Sequence, residues 1–146
     1  MYKILLATDG SDYSLKSLQK IIPLARAMQA DLTILTVIEE IPFIKGTGGM
    51  SREELEALYS SIGREAEGGL KKAADLFKTQ GLEVKTKIRA GKPADVICEE
   101  SQKGGFDLIA LGDTGRGGLQ ELFLGSVSNK VAHCSKTDVI IVKRDQ

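Results

Sequence analysis

An α/β domain built on a doubly wound, mostly parallel five-stranded sheet is the fold this sequence predicts. Short apolar runs alternate with segments of helical periodicity over the 146 residues. ILLA, TILTVI, LIAL and VIIV are apolar nearly throughout, as strands covered on both faces require. Glycine, proline and helix-capping residues fall between these runs, where crossovers must turn. Parallel strands joined this way take right-handed crossovers and carry helices on both faces. No repeat or composition break divides the chain, so residues 1–146 are read as a single domain.

Strand one is YKILLAT (2–8), ended by Asp9-Gly10. Ser11 or Asp12 can cap the helix that follows, whose apolar stripe is Leu15, Leu18, Ile22, Ala25 and Met28. Pro23 lies inside that stripe and predicts a kink. DLTILTVIE (31–39) is strand two, and EIPFIKGTGGM (40–50) reads as a flexible connection. Ser51 and Glu54 form a capping box for a long helix with Leu55, Leu58, Ile62, Ala66, Leu70, Ala73 and Phe77 along one face. Gly68-Gly69 weakens it and Gly81 stops it.

LEVKTKIRAG (82–91) alternates polar and apolar residues, the pattern of an edge strand with one exposed face. Pro93 suits the first turn of a helix that ends near Lys103 at Gly104-Gly105. FDLIALG (106–112) is strand four, SVSNKVAHC a helix, and DVIIVKR (138–144) the last strand. The spatial order of the strands is not readable from periodicity.

Lysine plus arginine and aspartate plus glutamate number twenty each, so no net basic field favours nucleic acid. The apolar fraction of 42% and charged fraction of 27% are ordinary for a globular protein. No apolar run is long enough for a membrane helix, and the run in MYKILLATDG is too short for a signal peptide. A cytoplasmic location is therefore expected, with Cys98 and Cys134 as reduced, small buried residues. His133 is the only histidine, which leaves a zinc site or a Ser-His-Asp triad without ligands or neighbours. No catalytic or metal-ligating residue is assigned.

Two loops at strand ends carry chemistry: TDGSD after strand one and GDTGRGG after strand four. In doubly wound sheets ligands collect at such carboxyl ends. Glycine amides can approach an anion that a Cβ would hold off, and successive amides form an anion nest. A helix beginning near Ser126 adds unpaired N–H groups and a positive dipole end. Ser126 and Ser128 offer hydroxyls and Arg116 a charged fork. Four hydrogen bonds to a charged ligand contribute about 6–12 kcal/mol. Association costs on the order of 4–15 kcal/mol, so burial of an attached base must supply the surplus. The loop fits neither G-x-x-x-x-G-K-[ST] nor the first loop of a dinucleotide fold.

Gly112-x-x-Gly115, nine residues, then Gly125-Ser126 resembles the G-x2-G-x9-G-[ST] signature of the universal stress protein family. KILLATDGSDYSLKSL, LTVIEE, GRGGLQELFLGSVSNKVAH and DVIIVKR are similar to that family in order and spacing, over essentially the whole chain. The resemblance implies the sheet order 3-2-1-4-5, with strands one and four adjacent. It implies an ATP-binding, nucleotide-dependent regulatory protein of the stress response, with at most slow ATP hydrolysis. Mg²⁺ or Mn²⁺ would be held through the phosphates.

Carried over by position, Ala7, Thr8 and Asp9 lie against the adenosine and Val37 lines the adenine pocket. Gly112, Thr114, Gly115, Arg116 and Gly117 wrap ribose and phosphates, and Gly125, Ser126, Val127 and Ser128 close on the phosphate tail. Asp113 departs from the small residue usual there, and its carboxylate repels phosphate unless a cation bridges them. The last strand, at a sheet edge, implies a homodimer across a two-fold axis, with unidentified protein partners besides. Two other readings are an adenylating enzyme, since TDGSDYS resembles the SGGxDS loop of ATP pyrophosphatases without its paired glycines, and an interaction module with a non-functional pocket.

Overall fold

β1 (Lys3–Ala7) occupies the middle of a five-stranded parallel sheet ordered β3-β2-β1-β4-β5, in a computed structural model that describes residues 1–39, 50–113 and 125–143. The other strands are β2 (Asp31–Ile38), β3 (Val84–Ala90), β4 (Leu108–Gly112) and β5 (Asp138–Val142). The order is the one the family resemblance implies, and β1 and β4 are neighbours. Their register sets Ala7 beside Leu35 of β2 and Leu111 of β4, and Leu111 beside Ile141 of β5. β1, β2 and β4 are largely buried, whereas β3 and β5 are edge strands whose side chains, the buried Val142 apart, are half-buried or exposed. Their alternation reflects that one-sided cover.

Pleating sends alternate residues to two cores. Ile4, Leu6, Ile34 and Ala110 pack under Leu15, Leu18, Ile22, Ala25, Leu70, Ala73 and Phe77. Leu5, Ala7, Leu35, Ile109 and Leu111 pack on the other face under Ala94, Ile97 and Val131. The helices on the first face are α1 (Asp12–Leu18), α2 (Ile22–Met28) and α3 (Arg52–Thr79); α4 (Pro93–Lys103) and α5 (Ser126–Cys134) cover the second. Phe77 is fully buried, and truncating such a ring to alanine costs about 3–5 kcal/mol.

Ser11 caps α1 by accepting the Ser14 amide at 3.2 Å, and Ser51 caps α3 by accepting that of Glu54 at 3.1 Å. The kink expected at Pro23 is a single 3₁₀ turn, Gln19–Ile21, after which Pro23 sits in the first turn of α2, where no amide is missed. Met28, read as part of the apolar stripe, is 42% exposed, because the chain turns away at Gln29 (φ 49°). Along α3 only Leu70, Ala73 and Phe77 are buried; Leu55, Leu58, Ile62 and Ala66 are half-buried. Gly81, at φ +80°, lets the Leu82 amide return to the Phe77 carbonyl at 3.0 Å and ends the helix.

The cysteines overturn an expectation. Cys98 and Cys134 form a disulfide, and Cys134 is exposed. α4 and α5 pack side by side on one sheet face, which brings the two Cα atoms to 6.5 Å. Residues 36 apart in sequence thus come within bonding reach through tertiary packing, which linear spacing does not reveal.

Candidate functional site

The carboxyl ends of β1 and β4 open beside each other, and the loops that leave them are held by a dense set of short-range bonds. Thr8 continues β1 and is buried, its amide donating to the Leu35 carbonyl at 3.0 Å. Its Oγ1 lies 2.7 Å from the buried Ser14 Oγ and accepts the Gly10 amide at 3.0 Å. Asp9 Oδ1 accepts the Ser11 amide at 2.9 Å, an Asx turn that reverses the chain into α1. Gly10 adopts φ +82°, where a Cβ is strained, and its Cα faces Gly69 of α3. This loop is preorganised by its own side chains.

At the β4 end Gly112 is buried, and its carbonyl accepts the Ser128 hydroxyl from the first turn of α5. The Asp113 amide donates to the Val142 carbonyl at 3.1 Å, while the Asp113 carbonyl accepts the Gly125 amide at 2.6 Å. The chain therefore departs after Asp113 and returns at Gly125 across one hydrogen bond. Gly125 stands as N-cap of α5 with no side-chain cap, and Asn129 is the first helical amide to find an acceptor, the Gly125 carbonyl at 2.9 Å. Among the described residues the amides of Ser126, Val127 and Ser128 have no acceptor. They project at the positive end of the helix dipole. That end can receive an anion.

Of the residues selected from sequence, Ala7, Thr8, Asp9, Gly112, Gly125, Ser126, Val127 and Ser128 gather at this β1/β4 mouth. Val37 is half-buried one strand away and packs with Ala7 on the α4/α5 face. Thr114, Gly115, Arg116 and Gly117 lie outside the described residues. Two side chains do something other than offer a free donor: the Ser128 hydroxyl is committed to Gly112, and that of Thr8 to the turn. What they supply there is support. Ser14 was not selected, although a serine three residues after the cap Ser11 is well spaced to reach back into the turn. Thr36, beside this mouth in β2, is 6% exposed, and its Oγ1 has no partner among the described residues. No cluster of metal ligands occurs among the described residues. No helix among them is long and apolar enough to cross a membrane.

Fold and site together set a helix start without a side-chain cap at the switch point of a doubly wound sheet. The profile of the universal stress protein family matches residues 1–143, and the chain belongs to that family. It is 34% identical over 142 residues to universal stress protein MJ0531 of Methanocaldococcus jannaschii, covering 97% of this chain and 82% of that one. It is 33% identical over 145 residues to universal stress protein YxiE of Bacillus subtilis, covering 97% and 98%. Among solved structures, a universal stress protein in complex with cAMP superposes with a TM-score of 0.61 at 29% identity, covering 97% of this chain and 95% of that one.

Proposed function

We propose that the protein binds ATP and acts as a nucleotide-dependent regulator in the stress response. The observation that carries this reading is the start of α5, which has no side-chain cap and three amides without an acceptor among the described residues, pinned to the end of β4 by the Asp113–Gly125 hydrogen bond. The similar protein solved with cAMP supports an adenine nucleotide as the ligand class. The amides of Ser126, Val127 and Ser128 hold the phosphate tail, and Gly112, Thr114, Gly115, Arg116 and Gly117 surround ribose and phosphates. Ala7, Thr8 and Asp9 border the adenosine, and Val37 lines the base.

Mg²⁺ or Mn²⁺ enters with the phosphates and offsets the negative charge of Asp113. The protein works in the cytoplasm as a homodimer, paired through β5, whose Val139, Ile140 and Ile141 are only half-buried at the sheet edge. Its further protein partners are read from the occupied state.

The test is to denature protein purified under mild conditions and identify the released small molecule by mass. ATP is expected, together with a rise in melting temperature when ATP and Mg²⁺ are added to stripped protein. No released adenine nucleotide and no ATP-dependent shift would remove the reading in favour of an interaction module. Stoichiometric pyrophosphate release with an acceptor would favour an adenylating enzyme.

A further inference from the structure

We propose that Cys98 and Cys134 form a reversible thiol–disulfide exchange site, attacked at Cys134, through which a low-molecular-weight thiol controls the clamp on α5. The two cysteines are unequally exposed. Cys134, the last residue of α5, is exposed, whereas Cys98 is half-buried in the middle of α4 and packs against the core that contains Leu5, Ile97 and Val131. Exchange proceeds at the sulfur that a thiolate can reach.

The surroundings hold α5 without the bond. At its first turn the Ser128 hydroxyl donates to Gly112, and Val131 is fully buried. Beyond its last turn the Ser135 amide returns to the Val131 carbonyl at 2.9 Å, and the Ser135 hydroxyl donates to the Thr137 carbonyl at 2.7 Å. The Thr137 hydroxyl reaches Ser101 Oγ on α4 at 3.3 Å, with Ser101 buried. These contacts keep the two helices together when the bond opens, so the thiols stay within reach and closure is intramolecular. A disulfide whose two ends are held by independent packing can open and close without unfolding the domain.

The chemistry balances with a thiol and its disulfide as co-reactants. A thiolate attacks Cys134 Sγ; the Cys98–Cys134 bond breaks, and its electron pair leaves on Cys98 Sγ, which takes a proton from water. A second thiol attacks the mixed disulfide, releasing the Cys134 thiol and the symmetrical small disulfide. Two small thiols are oxidised and one protein disulfide is reduced; the reverse sequence closes the clamp. α5 then loses its covalent tie at the C-terminal end and keeps its anchor at the Gly125 end.

The experiment uses the full chain equilibrated in air. Reduced glutathione is added, samples are quenched in acid at intervals, and the mixed disulfide is located by peptide mass. The adduct is expected on Cys134 at least about tenfold over Cys98. Oxidised glutathione should restore the Cys98–Cys134 bond, and both states should melt cooperatively. Adduct chiefly on Cys98, two free thiols before treatment, or loss of cooperative melting on reduction would overturn the proposal. Single variants read the same asymmetry: with oxidised glutathione, native Cys98→Ser should gain its adduct at Cys134 about tenfold faster than Cys134→Ser gains one at Cys98. Equal rates would contradict it.

Discussion

A Cβ placed on Gly69 would stand 3.4 Å from the Cα of Gly10, so the middle of α3 rests directly on the turn that follows β1. Gly68, one residue earlier, has nothing within 4 Å of the same construction. The pair separates two effects of a helical glycine. Gly68→Ala should stabilise the protein by about 0.5–1 kcal/mol, because alanine is the better helix former. Gly69→Ala should recover less of that gain, and Gly69→Val should destabilise by displacing the turn. Urea midpoints of the three variants measure this; equal gains at both positions would break the proposed contact.

Gly125 has φ −57° and ψ 156°, backbone that any residue adopts. Gly125→Val should therefore leave the melting temperature within a few degrees of the parent while placing a branched side chain at the mouth of α5. Nucleotide retention should fall at least about tenfold, or 1.4 kcal/mol. Combining it with Gly115→Val should abolish retention. Retention unchanged in the double variant would withdraw the phosphate role of this helix end.

Ser128→Ala removes the hydroxyl that donates to the buried end of β4. The Gly112 carbonyl is then left unpaired, a loss of about 1–3 kcal/mol. A drop of roughly 2–4 °C in melting temperature per kcal/mol is expected for a chain of this size. Ser128→Thr, which keeps the hydroxyl, should retain more of the stability.

Thr36 makes the opposite case. Its Oγ1 is buried without a partner among the described residues, and Thr36→Val replaces that hydroxyl by a methyl of similar size. A gain of about 1 kcal/mol is expected in denaturant titration. A loss would mean that the hydroxyl is satisfied in solution, for example by an internal water.

Glu100 of α4 joins Lys87 and Arg89 of β3, at 2.5 Å and 3.4 Å. The hydrogen bond from Lys87 is the main reason its carboxyl titrates below the usual value of 4.5, burial acting the other way. A depressed folded pKa gives stability that is fully present above the unfolded value and is lost as pH falls through the folded one. The stability difference between the parent and Glu100→Gln should stay constant from neutral pH to about pH 5 and shrink below 4.5. Because Lys87 and Arg89 are 38% and 48% exposed, the difference should not exceed about 1 kcal/mol.

The buried strands, both serine-capped helices and the Gly81 stop were legible because each is fixed by local chemistry: apolar content, a hydroxyl at the right offset, a glycine where φ turns positive. The sheet order was not, since hydrophobic periodicity is blind to which strand lies beside which. It came from a long-spaced glycine signature. The gathering of Ala7, Thr8, Asp9 and Gly125 to Ser128 at one mouth followed from that order. The hydroxyl partners of Thr8 and Ser128 were not legible for a physical reason: they depend on how the chain folds back, here to Ser14 in the turn and to Gly112 at the end of β4. The cysteine pair failed likewise, because adjacency of α4 and α5 is a tertiary fact.

The chain departs at Asp113 and re-enters at Gly125 through adjacent atoms, bonded at 2.6 Å. The strand end and the helix start are thus tied by main-chain atoms, which a change of side chain at either position does not remove. Side chains at this mouth can be exchanged while the tie between sheet and helix is kept.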